Sequence, residues 1–142
     1  MAQKSVEALT RDECFDSLHK KPVGRIVFVD DEGPSALPLN YGVAGEEVVF
    51  RVELDSYLHK QLSGKVAFEV DHIEPNEGTG WSVLIRGTIR EVEMTQVPDL
   101  LHRLGDSIPK PWASGVHNTW LAITPDTVSG RRLEMPVQAT GL

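Results

Sequence analysis

Hydrophobic and polar positions alternate along Gly80–Glu93, the longest strand-like run in the chain. Trp81, Val83 and Ile85 fall on one side and Ser82, Leu84 and Arg86 on the other, the period of two that a pleated strand imposes. Gly87 interrupts the run. A glycine inside a strand marks a bulge, a bend or the close approach of another backbone, so this strand is expected to bend. Shorter runs at Gly24–Asp30, Ser35–Tyr41, Glu47–Val52, Lys65–Asp71, His117–Thr124 and Thr127–Leu133 also read as strands. Pro38 has no N–H to donate, which places the second of these at an edge, a bulge or an opening. Turn chemistry separates the runs at Asp31-Glu32-Gly33-Pro34, at Gly42–Glu46 and around Pro125-Asp126.

Helical signals are fewer. Thr10-Arg11-Asp12-Glu13 has the spacing of a capping box, and Cys14, Phe15 and Leu18 follow on one side of the helix it would start. Asp55 or Ser56 caps a second short helix that buries Leu58 and Leu62. Thr95–Leu104 carries Val97, Leu100, Leu101 and Leu104 at helical spacing. About six strands with two or three short helices between them do not alternate as a parallel α/β fold requires. The pattern predicts a mainly β protein, a mostly antiparallel barrel. It forms one domain over residues 1–142, with its core at about 9–133 and a loose tail at 134–142.

A chain of 142 residues buries a core without metal or disulfide staples. Its net charge of −7 argues against nucleic-acid or anionic-membrane partners, which require clustered Lys and Arg. The single cysteine, Cys14, excludes an internal disulfide and fits a reducing compartment. The start, Met-Ala-Gln-Lys-Ser, lacks the apolar stretch of a signal peptide, and no window approaches the ~20 apolar residues of a membrane span. A cytoplasmic location is the expectation.

Reactive chemistry is sparse. The five histidines show no metal-ligand spacing, so no metal site is expected. Nucleophile-elbow, phosphate-loop and dinucleotide-binding motifs are absent from the sequence. Cys14 sits on the apolar side of a helix, where a cysteine is packed far more often than reactive. Asp30-Asp31-Glu32 before Gly-Pro reads as a solvated turn. No catalytic residue is assigned. Candidate ligand contacts remain at strand ends: Asn40 and Tyr41, Arg51, Ser56, Trp81 and Ser82, and Arg131 and Arg132. Each has a plainer reading, since exposed arginines pair with surface carboxylates and a Trp beside a turn usually packs into a core.

Taken together, Gly24-Arg25-Ile26-Val27-Phe28-Val29, Pro38-Leu39-Asn40-Tyr41, Val49-Phe50-Arg51, Val66-Ala67-Phe68-Glu69-Val70-Asp71, Gly80-Trp81-Ser82-Val83-Leu84-Ile85-Arg86-Gly87 and Val128-Ser129-Gly130-Arg131-Arg132-Leu133 resemble the small pyridoxamine 5′-phosphate oxidase-like flavoproteins, in order and spacing. The resemblance implies a six-stranded antiparallel split β-barrel that forms a homodimer, with FMN in a cleft between subunits. It implies that the ring lies along Pro38, Leu39, Asn40 and Tyr41 near Trp81 and Ser82. The phosphate would sit by Arg51 and the helix starting at Ser56. Arg131 and Trp120 would approach from the closing strands of the partner chain. A helix start and an arginine fork suit a phosphate physically. The activity implied is a flavin-dependent oxidoreductase acting on a small molecule. Alternatives are the same fold holding a deazaflavin or heme, or a non-catalytic, cofactor-poor binding protein. The chain departs from the family at the phosphate: Val52 stands where relatives carry Thr, and Tyr57 and Leu58 stand where they carry basic residues, leaving Lys60 one turn further on. A homodimer also fits the apolar, Trp-rich stretch from Trp112 to Trp120.

Overall fold

The computed structural model of the chain describes residues 5–110 and 119–134. In chain order its elements are β1 (Ser5–Ala8), α1 (Arg11–Leu18), β2 (Val23–Asp30), β3 (Gly33–Asn40), β4 (Gly42–Ala44), β5 (Glu47–Val52), α2 (Tyr57–Gln61), β6 (Gly64–Glu74), β7 (Thr79–Glu91), α3 (Val97–Leu104) and β8 (Thr119–Glu134). A 3-10 turn at Met94–Gln96 leads into α3. Residues 111–118 and 135–142, which include the start of the first expected closing strand and nearly all of the expected tail, lie outside the described residues.

The strands form one sheet in the order β3-β2-β6-β7-β8-β5-β4, with β1 beside β8, and every pairing is antiparallel. β8 organises it. One edge pairs with β7 from Thr79↔Glu134 to Glu91↔Leu121. The other pairs first with β5 and then with β1. The terminal strands of the order, β3 and β4, are separated in the chain by Tyr41 alone, so the sheet curls until its edges meet. The result is a mainly β split barrel.

The barrel has eight strands, where the pattern predicts about six. β1, Ser-Val-Glu-Ala, is too short to show a period and owes its conformation to β8. β4 falls inside the stretch read as a turn, and its hairpin with β5 closes on Gly45 and Glu46. The two expected closing strands are one continuous β8 of 16 residues. Pro125 and Asp126 sit not in a turn but at a bulge, where the register steps from Arg86↔Thr127 to Gly87↔Pro125. Gly87 explains why: a Cβ there would lie 2.2 Å from the Thr124 carbonyl oxygen. Pro38 lies on β3, an edge strand, where its missing N–H breaks no inner ladder.

Alternate residues of the strands fill the barrel, among them Ile26, Phe28, Val48, Phe50, Phe68, Val70, Val83, Ile85, Leu121 and Ile123. The capping box at Thr10 and Glu13 forms as expected, and α1 closes this core with Cys14 and Leu18. Gly130 permits the contact, since a Cβ there would stand 2.7 Å from Cys14 Sγ. Burial pushes the Cys14 thiol pKa up, the environment of a packed cysteine rather than a nucleophile. On the outer face α3 lays Leu100 and Leu104 over Val49, Trp120 and Ala122.

Gly87→Ala is expected to destabilise the fold by about 1–3 kcal/mol, because the added methyl meets backbone that cannot rotate away. A lower urea midpoint at unchanged slope would register it, and a midpoint equal to wild type would show that the bulge tolerates a side chain.

Candidate functional site

On the outer face of the sheet, β6, β7 and β8 bring Asp71, Ser82 and Arg131 into register: Ser82 pairs with Asp71 on one side and Arg131 on the other. Glu69 lies on the same face, since it and Asp71 alternate with buried Phe68 and Val70. These residues line a groove of about 310 Å³ whose apolar walls include Val6, Ile73 and Leu133. Arg25 on β2 bridges the two carboxylates, 3.2 Å from Glu69 and 3.3 Å from Asp71. Burial, reinforced by Asp71, raises the Glu69 pKa to about 7 against the pull of Arg25. Arg132, one residue along, pairs with Glu7 and Glu13 at 3.4 Å each. Arg131 is exposed and makes no ion pair among the described residues.

The groove therefore unites three of the expected contacts, Trp81, Ser82 and Arg131. Trp81 contributes wall rather than a stacking platform: its ring packs against the barrel core and lies 6.5 Å from that of His72. Glu69, Asp71 and Arg25 were not singled out from sequence. Two carboxylates alternating with Phe68 and Val70 on one strand were the available signal, but their alignment with Ser82 is a matter of register, which sequence does not display.

The other expected contacts lie elsewhere. Asn40 and Tyr41 line a separate cleft of about 430 Å³ between the end of α1 and Asp106–Lys110. Their polar groups are already engaged: the Asn40 amide donates to the Lys110 carbonyl, and the buried Tyr41 hydroxyl donates to the Leu18 carbonyl at 2.5 Å. Pro38 is exposed, and Leu39 packs partly against the core. Arg51 pairs with Trp120 across β5 and β8, its guanidinium carbon 5.6 Å from the centre of the indole; its buried Nε has no hydrogen-bond partner among the described residues. Ser56 caps α2 by accepting the His59 N–H at 3.3 Å, and Lys60 on that helix is exposed.

The groove suits a planar heterocycle with hydrogen-bonding edges. It offers a cation in Arg131, a hydroxyl in Ser82, acceptors in Glu69 and Asp71, and apolar walls. The start of α2 does not suit a phosphate. The helix has five residues, Ser56 caps it, and the Asp55 N–H is taken by His59 Nδ1 at 3.0 Å. The other His59 nitrogen lies 2.6 Å from Glu91, and the Tyr57 hydroxyl donates to the Asp30 carboxylate.

Comparison with known proteins agrees with this architecture. Residues 10–132 match the family described as pyridoxamine 5′-phosphate oxidase, and the chain belongs to that family. It is 30% identical over 140 residues to the uncharacterized protein Rv0080 of Mycobacterium tuberculosis, covering 92% of this chain and 87% of that one. Among solved structures it resembles an FAD binding protein from Mycobacterium smegmatis at 27% identity, with a TM-score of 0.78 and coverage of 92% and 100%. An FAD and heme binding protein from the same organism shares the fold at 22% identity, with a TM-score of 0.67 and coverage of 95% and 74%. Among the described residues no helix is long and apolar enough to cross a membrane, and no group of three or more His, Cys, Asp or Glu is placed to hold a metal.

The raised Glu69 pKa has a definite sign. The folded protein holds this proton more tightly than the unfolded chain, so Glu69 makes the fold less stable as pH rises from the ordinary carboxyl range to about 7. Glu69→Gln is expected to remove that part of the slope. Melting temperatures of both proteins between pH 4.5 and 7 test it, and parallel curves would mean that Glu69 titrates normally.

Proposed function

We propose that the protein is a flavin-binding oxidoreductase acting on a small molecule, with the flavin ring in the Ser82–Arg131 groove and a second protomer covering it. The observation that carries this reading is Arg131: a cation without an ion-pair partner among the described residues, set in a groove that also presents acceptors and apolar walls. The family membership and the FAD binding of a relative 27% identical point the same way. When bound, a flavin supplies hydride or electron transfer.

The chain's own residues hold and tune. Arg131 supplies positive charge for an electron-rich ring edge, and Asp71 an acceptor for a ring N–H. Glu69, with its pKa at about 7, holds or releases a proton near neutrality. A homodimer accounts for exposed apolar side chains that one protomer leaves uncovered: Val6 is 53% exposed, Ile73 57% and Val29 72%. Val6 and Ile73 line the groove itself. The phosphate of FMN, expected from the resemblance, finds no suitable seat at α2. Among the described residues no histidine lines the groove to serve heme as an axial ligand, and His72 pairs with Glu74 at 2.6 Å. A cofactor-poor binding protein would leave flavins fluorescent and unreduced.

Titrating free flavins into the protein should quench their fluorescence. Arg131→Ala should weaken binding by about 1.5–3 kcal/mol, roughly tenfold to a hundredfold in Kd. Arg132→Ala, which loses only surface pairs, should stay within about twofold. Loss of affinity in both variants alike, or in neither, would remove the ring from this groove. Sedimentation is expected to give a species of twice the 15.7 kDa chain mass, and a monomer at micromolar concentration would leave the groove uncovered.

A further inference from the structure

The cleft between the end of α1 and Asp106–Lys110 shares no lining residue with the Ser82–Arg131 groove, and its charge runs against that of the chain. In a protein of net charge −7, three of the six lysines, Lys20, Lys21 and Lys110, line it. Asp106 is the one carboxylate among the described lining residues. Lys65 with Asp126 is the one lysine ion pair among the described residues, so the three cleft cations have no carboxylate partner there. The walls are built without them. Tyr41 ties the end of α1 and the entry to β2 to the end of β3, its hydroxyl donating to the Leu18 carbonyl and its N–H to the Pro22 carbonyl at 3.3 Å. Opposite, the Asn40 amide donates to the Lys110 carbonyl. Gly42 lets that wall close in, since a Cβ there would stand 2.9 Å from Leu104 Cδ2 and 3.0 Å from the Ser107 carbonyl oxygen. Each bond engages a carbonyl and leaves the ammonium groups free. Buried Val43 and Pro109 and exposed Ile108 contribute the apolar lining.

We propose that this cleft is a second ligand site, one for a small organic dianion: two negative charges met by Lys20, Lys21 and Lys110, on an apolar body that lies against Val43, Ile108 and Pro109. Three ammonium groups against one carboxylate leave two positive charges, the complement of a phosphate monoester or a dicarboxylate at neutral pH. Lysine meets such anions as a point charge, and a concave, partly apolar lining holds the rest of the molecule. A cation after the last turn of α1 also suits the helix carbonyls, which gives Lys20 and Lys21 a plainer role. Lys110 has none of that kind, because it reaches the cleft from the opposite wall, beyond the turn at Gly105–Ser107. The Ser107 hydroxyl and the His19 imidazole add hydrogen-bonding groups. The site stands independently of the flavin reading.

Titrations of the full chain followed by its backbone amide resonances test the site. Phenyl phosphate and phthalate serve as dianions of the two kinds, inorganic phosphate as a dianion with no apolar body, and benzyl alcohol as a body with no charge. At least one aromatic dianion is expected to shift the amides of Lys20, Lys21, Gly42 and Val43 saturably, and the tighter of the two identifies the anionic group preferred. It should bind about tenfold more tightly than inorganic phosphate or benzyl alcohol. Lys21→Gln and Lys110→Gln should each weaken it about threefold, the effect of removing one solvent-accessible opposite charge. Lys65→Gln, which alters a lysine on β6 outside the cleft, should leave it unchanged. Absence of saturable shifts at these amides with both dianions would overturn the site. Benzyl alcohol binding as tightly would overturn the role of charge, and inorganic phosphate binding as tightly would overturn the role of the apolar lining. Equal weakening by Lys65→Gln would overturn the assignment to the cleft lysines.

Discussion

Closure of the barrel depends on one backbone contact, where Gly87 on β7 meets the carbonyl of Thr124 on β8. The bulge there lets a strand of 16 residues stay paired with β7 past a change of register while its other edge passes from β5 to β1. Strong local twist at a bulge is what an antiparallel sheet needs in order to curl. The groove inherits its geometry from the same arrangement, because Ser82 and Arg131 face each other only if β7 and β8 remain paired beyond the bulge.

Much of this was legible in the residues themselves. The alternation after Trp81 placed β7, the glycine inside it marked a bulge, a bend or a close approach, Pro38 limited its strand to an edge, a bulge or an opening, and Thr10 with Glu13 defined the start of α1. What could not be read was relational. β1 has too few residues for a pattern and exists because β8 offers an open edge. Pro125-Asp126 has turn chemistry, yet a neighbouring strand holds it extended. Of the site, Trp81, Ser82 and Arg131 were legible as residues, whereas their union with Glu69, Asp71 and Arg25 follows from register across strands. Nor does sequence distinguish an available polar group from a committed one, and for Asn40 and Tyr41 that difference decides what they can hold.

The candidate site divides electrostatically. At the groove, Arg25 and Arg131 balance Glu69 and Asp71, and partial burial leaves one carboxyl able to change protonation near neutrality. At α2, carboxylates outnumber cations, and Asp30 and Glu91 engage Tyr57 and His59 from distant parts of the chain. The overall charge of −7 is thus not a uniform coat. It is compensated at the groove and left uncompensated at α2.

The place of β8 in the sheet also bears on how the protein is made. It is the last strand described in the chain but lies inside the sheet, flanked by β7 on one edge and by β5 and β1 on the other. Until it emerges from the ribosome, three strands wait with unpaired edges, two of them bearing rows of valine and isoleucine. Such edges invite pairing with other chains. The long-range contacts that β8 alone supplies make barrel formation slow relative to local folding. The nascent chain therefore passes through a window, ending only when β8 docks, in which shielding by a chaperone has the most to offer.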